Sequence, residues 1–339
     1  MDIDIGLWAA IGFMFAAYAV VGNDALQTLG TFINSNRRLP WWALFLFAAT
    51  VLIVVFAYGY ISSGGDPSYG RLSNVKKYPI FEPQWYHALP PLMLLFLTRL
   101  GIPVSTTFMV LAIFATMGGM QSMLTKSLIG YGLAFLTGGV VYAILAPTIE
   151  RWFLKTADQQ HAPFWVLLQW ITTGYLWAVW LMQDFANIFI FLPRGVDAAG
   201  APALNPAEAS VAVAGIVLLL AYTFWNQGGP VQRILKSKTN VTDIRSATII
   251  DFTYASLLFY FKELNDIPMS TTWVFLGLIA GREFAIATID NIRSPQATAK
   301  IVLSDATKAL IGLVISVAMG VGLPVLAEVL ATQASSVLG

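Results

Sequence analysis

The sequence predicts an all-α integral membrane protein in which two halves repeat one plan with opposite orientations. Three observations support this prediction: an apolar composition, uncharged stretches of spanning length, and a pair of motifs that recurs in the same order. Of the 339 residues, 57% are apolar and only 11% are charged. Soluble domains carry about 25% charged residues, so the composition favours a chain that lies largely in lipid.

Five stretches lack any charged residue over a length of about 20 residues, which is what a helix needs to cross the hydrocarbon core. These stretches are 5–23, 41–61, 127–149, 162–183 and 209–232. The first follows Asp2 and Asp4 rather than a basic segment, so we interpret it as a retained helix and not as a signal peptide. Aromatic residues near the ends of the stretches, such as Trp41 and Trp42, are typical of membrane interfaces.

Composition also excludes several classes of protein. The net charge of +1 gives no indication of nucleic-acid binding, and the absence of cysteine excludes thiol catalysis, disulfides and iron–sulfur clusters. Two histidines, His87 and His161, are too few for a haem pair or a histidine-rich metal site. We therefore expect no resident cofactor.

Two different motifs recur along the chain. The sequence IPVSTT occupies 102–107, and IPMSTT occupies 267–272. Asp24 precedes Ser105 by 81 residues, and Asp184 precedes Ser270 by 86 residues. The common order and similar separation indicate a duplication, with a first repeat at 1–160 and a second at 161–339.

Each half is predicted to contain a helix with the aspartate, a plain spanning helix, a segment broken at Ser-Thr-Thr, and a closing helix. In the first half these are 5–33, 41–61, 86–120 and 125–147, and in the second half 163–193, 208–226, 247–286 and 303–323.

The broken segments are predicted to be re-entrant hairpins. The arm before each proline has about 14–16 residues, or about 21–24 Å of helix, which is short for a hydrocarbon core of about 30 Å. The alternative is two full spans, because 100–125 is itself uncharged. With re-entrant hairpins each half crosses three times, so the second half is inverted relative to the first.

The positive-inside rule supports this topology with the N-terminus outside. The basic residues then predicted inside are Arg37, Arg38, Arg151, Lys155, Arg233, Lys236, Lys238, Arg245, Arg293 and Lys300. Those predicted outside are Arg71, Lys76, Lys77, Lys126 and Arg194.

Asp24 and Asp184 are the first candidate functional residues, because an ionisable group in an apolar stretch is costly unless it is paired or hydrated. Each has amide neighbours that can supply further oxygens, and hard cations prefer oxygen ligands. The candidate cation ligands are Asn23, Asp24, Gln27, Gln183, Asp184 and Asn187. The alternative is that both aspartates cap helices at the water interface.

The Ser-Thr-Thr triplets are the second set of candidates. Proline breaks the segment, and the serine can cap the helix that follows. A helix that begins at membrane depth offers free N–H groups to an anion. The hydroxyl donors are those of Ser105, Thr106, Thr107, Ser270, Thr271 and Thr272. The alternative is that these residues only cap two turns. The roles of Arg99, Asp251 and Arg282 stay open.

These motifs resemble a known family. The stretches GNDALQTLGTF (22–32) and GIPVSTT (101–107), repeated as QDFANIF (183–189) and DIPMSTT (266–272), resemble the inorganic phosphate transporters of the PiT type. Members carry an Asn-Asp-x-x-Asn and a Pro-x-Ser-Thr-Thr signature in each of two inverted halves. Here Gln27 and Gln183 replace asparagines, and Phe108 and Trp273 stand where a histidine is frequent.

The resemblance implies an inverted-repeat transporter of the cell (inner) membrane: a homodimer that carries phosphate with Na⁺ or H⁺ by alternating access. Na⁺ is the expected coupling ion, and the two aspartates and six hydroxyl residues are the expected phosphate site. Some relatives carry sulfate, which is the first alternative. A membrane-embedded enzyme and a channel are further alternatives, and the lack of an evident catalytic base disfavours the enzyme.

Overall fold

The computed structural model describes residues 6–338 except 37, 101, 103, 197–201, 227–242, 265–268 and 291–293. Within helices and strands, the side chains of 23–27, 31, 146, 150, 151, 154, 202, 262–264, 289, 290, 295 and 334–338 also lie outside the description.

The described residues are almost entirely helical. In chain order the α-helices are α1 (Leu7–Ala19), α2 (Ala25–Ser35), α3 (Trp41–Ser62), α4 (Leu89–Arg99), α5 (Met117–Leu145), α6 (Arg151–Lys155), α7 (Pro163–Phe189), α8 (Pro206–Trp225), α9 (Ile244–Leu264), α10 (Thr271–Asp290) and α11 (Pro295–Leu338). Short π-helical segments occupy Val20–Asp24, Thr107–Leu111 and Ala146–Glu150, and 3₁₀ turns occupy Trp85–Ala88 and Ala157–Gln159. Strands β1 (Arg194–Val196) and β2 (Pro202–Leu204) form an antiparallel pair.

The prediction of an all-α integral membrane protein is confirmed. Five helical stretches are long and apolar enough to span a membrane: Trp41–Ser62, Met117–Ile149, Pro163–Phe189, Pro206–Trp225 and Gln296–Gln333. Leu7–Gly22 is a shorter apolar helix. Large apolar side chains such as Ile61 and Leu218, which are 78% and 71% exposed, lie on the outer surface. Lipid, not water, suits such a surface, so the chain is a multi-pass membrane protein.

Some helix lengths differ from those predicted. The last helix, α11, has 44 residues rather than the predicted 303–323, and it continues through Pro324, as membrane helices often do. Helices α9 and α10 have 21 and 20 residues, so the arms of the second broken segment are longer than expected. By contrast α4 has 11 residues. The two broken segments are therefore unequal in length.

One end of the bundle is closed by the connection 63–84 and the β-pair, and we name it the loop side. Leu204 donates its backbone N–H to the carbonyl of Gly65 at 3.0 Å. Arg194 donates from Nη1 to the carbonyl of Leu72 at 2.9 Å and from Nη2 to that of Pro79 at 3.1 Å. Burial lowers the pKa of Arg194, and the nearby carboxylate of Asp66 acts in the opposite direction.

At the opposite end, which we name the basic side, Arg245 joins α9 to α6. Its guanidinium donates to the carbonyl of Phe153 at 2.6 Å and to Thr156 Oγ1 at 2.8 Å. Arg194 thus lies at one end and Arg245 at the other, as the predicted grouping of charges places them. That the basic side faces the cell interior stays a prediction.

The segment 85–116 starts and ends on the loop side. Thr116 donates its backbone N–H to the carbonyl of Lys77 at 2.8 Å, and the rings of Phe81 and Phe114 stack with centroids 5.5 Å apart. The second broken segment starts at the basic side with α9 and returns there with α10, which runs parallel to α5. The two segments therefore open toward opposite ends, while the re-entrant path through a membrane stays a prediction.

Helices α5 and α10 approach each other along a stripe of glycines. A Cβ at Gly138 would collide with the carbonyl oxygen of Leu278, and one at Gly281 would collide with that of Phe135. Gly277 makes a similar close approach to the backbone of Tyr131. Small residues allow such backbone contact between membrane helices, where dispersion replaces hydrophobic burial as the main attraction. This contact holds the second Ser-Thr-Thr turn against the first half.

We predict that Gly281→Ala destabilises the protein, because its methyl group would meet the backbone of Phe135 and lie 2.7 Å from the backbone nitrogen of Gly139. Overpacking of this kind costs about 1–3 kcal/mol. The matched control is Gly132→Ala in α5, where nothing lies within 4 Å of an added Cβ. Thermal unfolding in detergent should show a lower Tm for the first variant only, and equal Tm values would contradict the packing argument.

Candidate functional site

The two Ser-Thr-Thr turns meet inside the bundle. Thr107 donates from Oγ1 to the carbonyl oxygen of Met269 at 2.9 Å, and the ring centroids of Phe108 and Trp273 are 6.1 Å apart. All six serines and threonines of the two turns are at most 3% exposed. The structure thus brings together two motifs that lie far apart in the sequence.

Each serine caps the helical segment that follows it. Ser105 Oγ accepts the backbone N–H of Phe108 at 3.3 Å, and Ser270 Oγ accepts that of Trp273 at 3.1 Å. The backbone N–H of Ser270 in turn donates to Ser127 Oγ of α5 at 2.8 Å. The two turns therefore share one local geometry, as the repeated sequence predicts, and the second is also held by α5.

Asp184 lies between the two turns. It is 1% exposed, and its Oδ2 accepts a hydrogen bond from Thr271 Oγ1 at 3.1 Å. Its Oδ1 accepts a short hydrogen bond from Asn187 Nδ2, and the same amide group lies 3.4 Å from Thr107 Oγ1. One carboxylate and one amide on a single face of α7 therefore contact both turns.

Two buried oxygens, Asn187 Oδ1 on α7 and Thr272 Oγ1 in the second turn, have no hydrogen-bond partner within the described part of the chain. A buried polar atom without a partner costs about 1–3 kcal/mol, so these atoms are expected to have a ligand when the protein works. Neutral oxygens beside a carboxylate suit a hard cation. Across the described residues, no group of three or more His, Cys, Asp or Glu side chains offers an alternative metal centre.

The side chains of Asn23, Asp24 and Gln27 lie outside the described residues, so the first half of the predicted cation site has no geometry here. The backbone is described, and it forms a π-helical turn at Val20–Asp24 between α1 and α2. The equivalent part of α7 is regular α-helix through Phe189. π-helical turns inside helices are frequent at functional positions.

Gln183 has hydrogen-bond partners other than Asp184 and Asn187. Its Oε1 accepts a hydrogen bond from Arg71 Nε at 3.2 Å, and its Nε2 donates to the carbonyl of Leu258 at 3.2 Å. A guanidinium beside this oxygen disfavours a metal cation at the same place. The part of Gln183 in a cation site stays a prediction, and the structure groups Asp184 with Asn187 only.

Arg71 is the residue that sequence reasoning missed. It was grouped with the external loop charges, yet it is 1% exposed and reaches the amide next to Asp184. The signal was the run GGDPSYGR (64–71). Gly65 and Gly70 adopt φ values of 95° and 80°, which glycine adopts readily, and these turns fold the loop back into the bundle.

The residues that the sequence left open lie elsewhere. Asp251 of α9 accepts a hydrogen bond from Thr173 of α7 at 2.8 Å. Arg282 donates to Glu283 at 2.8 Å and lies 5.1 Å from the ring centroid of Tyr142. Arg99 is exposed at the end of α4 and lines an apolar cavity of about 660 Å³ between α4 and α11.

Comparison with known proteins gives one line of similarity. A scan against protein-family models finds no match, and a search of curated proteins finds no significant match. Among solved structures, the chain is similar to one described as "The sodium-dependent phosphate transporter", with a TM-score of 0.64 and 15% sequence identity. The similarity covers 95% of this chain and 98% of the other, so the two proteins share a fold over nearly their whole length.

Proposed function

We propose that this protein is a secondary active transporter that carries inorganic phosphate across the cell membrane together with Na⁺. The observation that carries the proposal is the meeting of both Ser-Thr-Thr turns around the buried carboxylate of Asp184. A transporter of sodium and phosphate shares the fold, and the motifs resemble those of the PiT family. The similarity to a transporter also supports the prediction that this protein is not an enzyme.

The phosphate site is formed by the hydroxyls of the two turns. The two turns carry six buried hydroxyls and contact each other, and the N-terminal end of α10 adds backbone N–H groups and its positive dipole end. Arg71 is hydrogen-bonded to Gln183, the residue before Asp184, and supplies a full positive charge from the loop side. Such an arrangement replaces the hydration shell of an oxyanion.

Phosphate is preferred to sulfate because of Asp184. Monohydrogen phosphate retains a proton and can donate it in a hydrogen bond to a carboxylate, whereas sulfate has no proton at neutral pH. A carboxylate beside sulfate would only repel it. Sulfate remains the alternative substrate if the carboxylate is neutralised by the bound cation.

The cation site on the second half uses Asp184 together with the two unfilled oxygens, Asn187 Oδ1 and Thr272 Oγ1. Na⁺ fits this set of a carboxylate and neutral oxygens, and H⁺ is the alternative coupling ion. We assign the same role in the first half to Asp24 with Asn23 and Gln27, on sequence symmetry alone. A cation at Asp184 lowers the local negative charge, which makes room for the phosphate.

The two broken segments, which open toward opposite ends of the bundle, support a mechanism of alternating access. A ligand shifts a conformational equilibrium only if it binds the two states with different affinities. Cation and anion together provide that difference, because either charge alone is costly at membrane depth. From the family resemblance we also expect the protein to work as a homodimer.

Uptake of labelled phosphate into proteoliposomes tests the proposal. We expect saturable accumulation driven by an inward Na⁺ gradient, little uptake with K⁺ in its place, and weak competition by sulfate. Uptake driven by a pH gradient in the absence of Na⁺ would identify H⁺ as the coupling ion. Accumulation of sulfate but not phosphate, or flux without saturation or accumulation, would reject phosphate symport.

We predict that Asp184→Asn and Asp24→Asn each abolish Na⁺-driven uptake, because an amide cannot neutralise the cation. The variants keep the side-chain size, so they should still elute as folded protein in size-exclusion chromatography. Asp158→Asn, at an exposed turn, is the matched control and should transport normally. Wild-type uptake in Asp184→Asn would remove this residue from the site.

We predict that Thr271→Val and Thr106→Val raise the apparent KM for phosphate, each by about 10-fold or more, since a hydrogen bond to a charged group contributes about 1.5–3 kcal/mol. Thr248→Val is the matched control, because this buried hydroxyl bonds only to the carbonyl of Ile244 in its own helix. The KM is measured from initial uptake rates at saturating Na⁺. Unchanged KM values in both site variants would exclude the turns from phosphate binding.

A further inference from the structure

Asp251 is a buried carboxylate outside the site described above. It lies on α9, is 3% exposed, and accepts a hydrogen bond from Thr173 Oγ1 at 2.8 Å, with Thr173 fully buried. Thr173 precedes Asp184 on α7 by 11 residues, or about 16 Å of helix toward the basic side. The Thr173–Asp251 contact therefore lies between the candidate site and the basic side.

The elements packed against α9 bring no cation to this carboxylate within the described residues. Its packing partners are α7, α10, α2 and α5. The nearest charged groups are occupied or distant: Asp184 lies 11 residues along α7, α2 carries no titratable residue, and Arg282 of α10 pairs with Glu283. On α5, Lys126 lies next to Ser127 at the level of the Ser270 turn, and on α9 Arg245 pairs with Asp243. The remaining titratable residues on these helices are tyrosines and residues near the helix ends.

One hydroxyl donor does not compensate a buried negative charge. An ionised carboxylate at membrane depth costs several kcal/mol unless it is paired or hydrated. The neutral carboxyl form keeps the bond from Thr173 and avoids this cost. While α7 and α9 are in contact through Thr173 and Asp251, the carboxyl group of Asp251 is therefore more stable when protonated.

The contact between Thr173 and Asp251 also links two helices that have a part in the proposed mechanism, α7 and α9. It joins the helix of Asp184 to the first arm of the second broken segment. One turn further along α9, Tyr254 donates from its hydroxyl to the carbonyl of Thr271, at the start of α10, at 2.9 Å. Separation of α7 from α9 toward the basic side would open a path to Asp184 and would bring water to Asp251.

We propose that Asp251 is a proton-binding group of the gate on the basic side, neutral while the gate is closed and ionised once the gate opens to water. The inference rests on the proposed transport function. Opening transfers the proton from the carboxyl oxygen to water on the basic side, and closing takes one back. The closed state thus holds one more proton than the open state, so acidity on that side favours closure.

The test is phosphate efflux from right-side-out membrane vesicles with the external pH fixed and the internal pH varied. Because phosphate also titrates in this range, the quantity compared is the ratio of the variant rate to the wild-type rate at each pH. One proton changes the gate equilibrium by at most about tenfold per pH unit. We expect the ratio for Asp251→Asn to fall at least about threefold as the internal pH rises from about 6 to about 8.

Two controls separate the gate from general effects. Glu208→Gln replaces another buried carboxyl, 6% exposed and at the loop-side end of α8, and its ratio should not depend on internal pH. Thr173→Val keeps the carboxyl and removes the donor that favours its ionised form. Its pH dependence should persist and extend to more alkaline internal pH, and this variant also serves if Asp251→Asn does not fold.

The outcomes distinguish the two proposals. A pH-independent ratio for Asp251→Asn overturns the gate assignment while phosphate transport stands. So does an equal change of the ratio in a second series, in which the internal pH is fixed and the external pH is varied. Na⁺-dependent loss of transport in Asp251→Asn without any change in pH profile would also overturn it, in favour of a cation site. Absence of efflux from the wild type at every pH overturns the transport proposal and this inference with it.

Discussion

The structure depends on the burial of one carboxylate, Asp184, at the junction of two chain breaks. A charge at this depth is costly, and its partners come from three places: Thr271 on one turn, Asn187 on the same helix, and Thr107 through the amide of Asn187. Of these contacts, the one between Asn187 and Thr107 joins the two halves, whereas those with Thr271 and Asn187 lie within the second half. The carboxylate therefore lies where the two Ser-Thr-Thr turns meet. Asn187 Oδ1 and Thr272 Oγ1 keep no hydrogen-bond partner within the described residues and are available to a ligand.

The two halves hold their turns by different means, although their motifs are alike. The second turn is supported by a rigid contact, the glycine stripe between α5 and α10, and by Ser127. The first turn is followed by only five π-helical residues, and α11 crosses over it where Gly320 lies against Ala112. Backbone contact in one half and a crossing helix in the other imply unequal freedom of movement, so in the proposed mechanism the two ends need not open by mirror-image motions.

The membrane class, the repeated motifs and their convergence could be predicted from sequence, because each rests on local signals: uncharged length, proline breaks, and aspartates in apolar surroundings. The burial of Arg71 could not, since the glycines of 64–71 indicate turns but do not show where the folded-back loop places the arginine side chain. The partners of Gln183 could not be predicted for a related reason, because they come from that loop and from α9. The lengths of α9 and α10 were not predicted correctly. Polar residues inside a helix that is covered by protein resemble, in the sequence, the polar residues at a helix end.

Asp251 is a buried polar group outside the candidate site. It has no acidic counterpart in the first broken segment, so it does not belong to the repeated motifs. A residue present in one half only can act at one end of the pathway only. In the proposed transport cycle the central site would bind the same ligands from both ends, which suits repeated motifs, whereas a gate that responds to one compartment requires residues that break the symmetry.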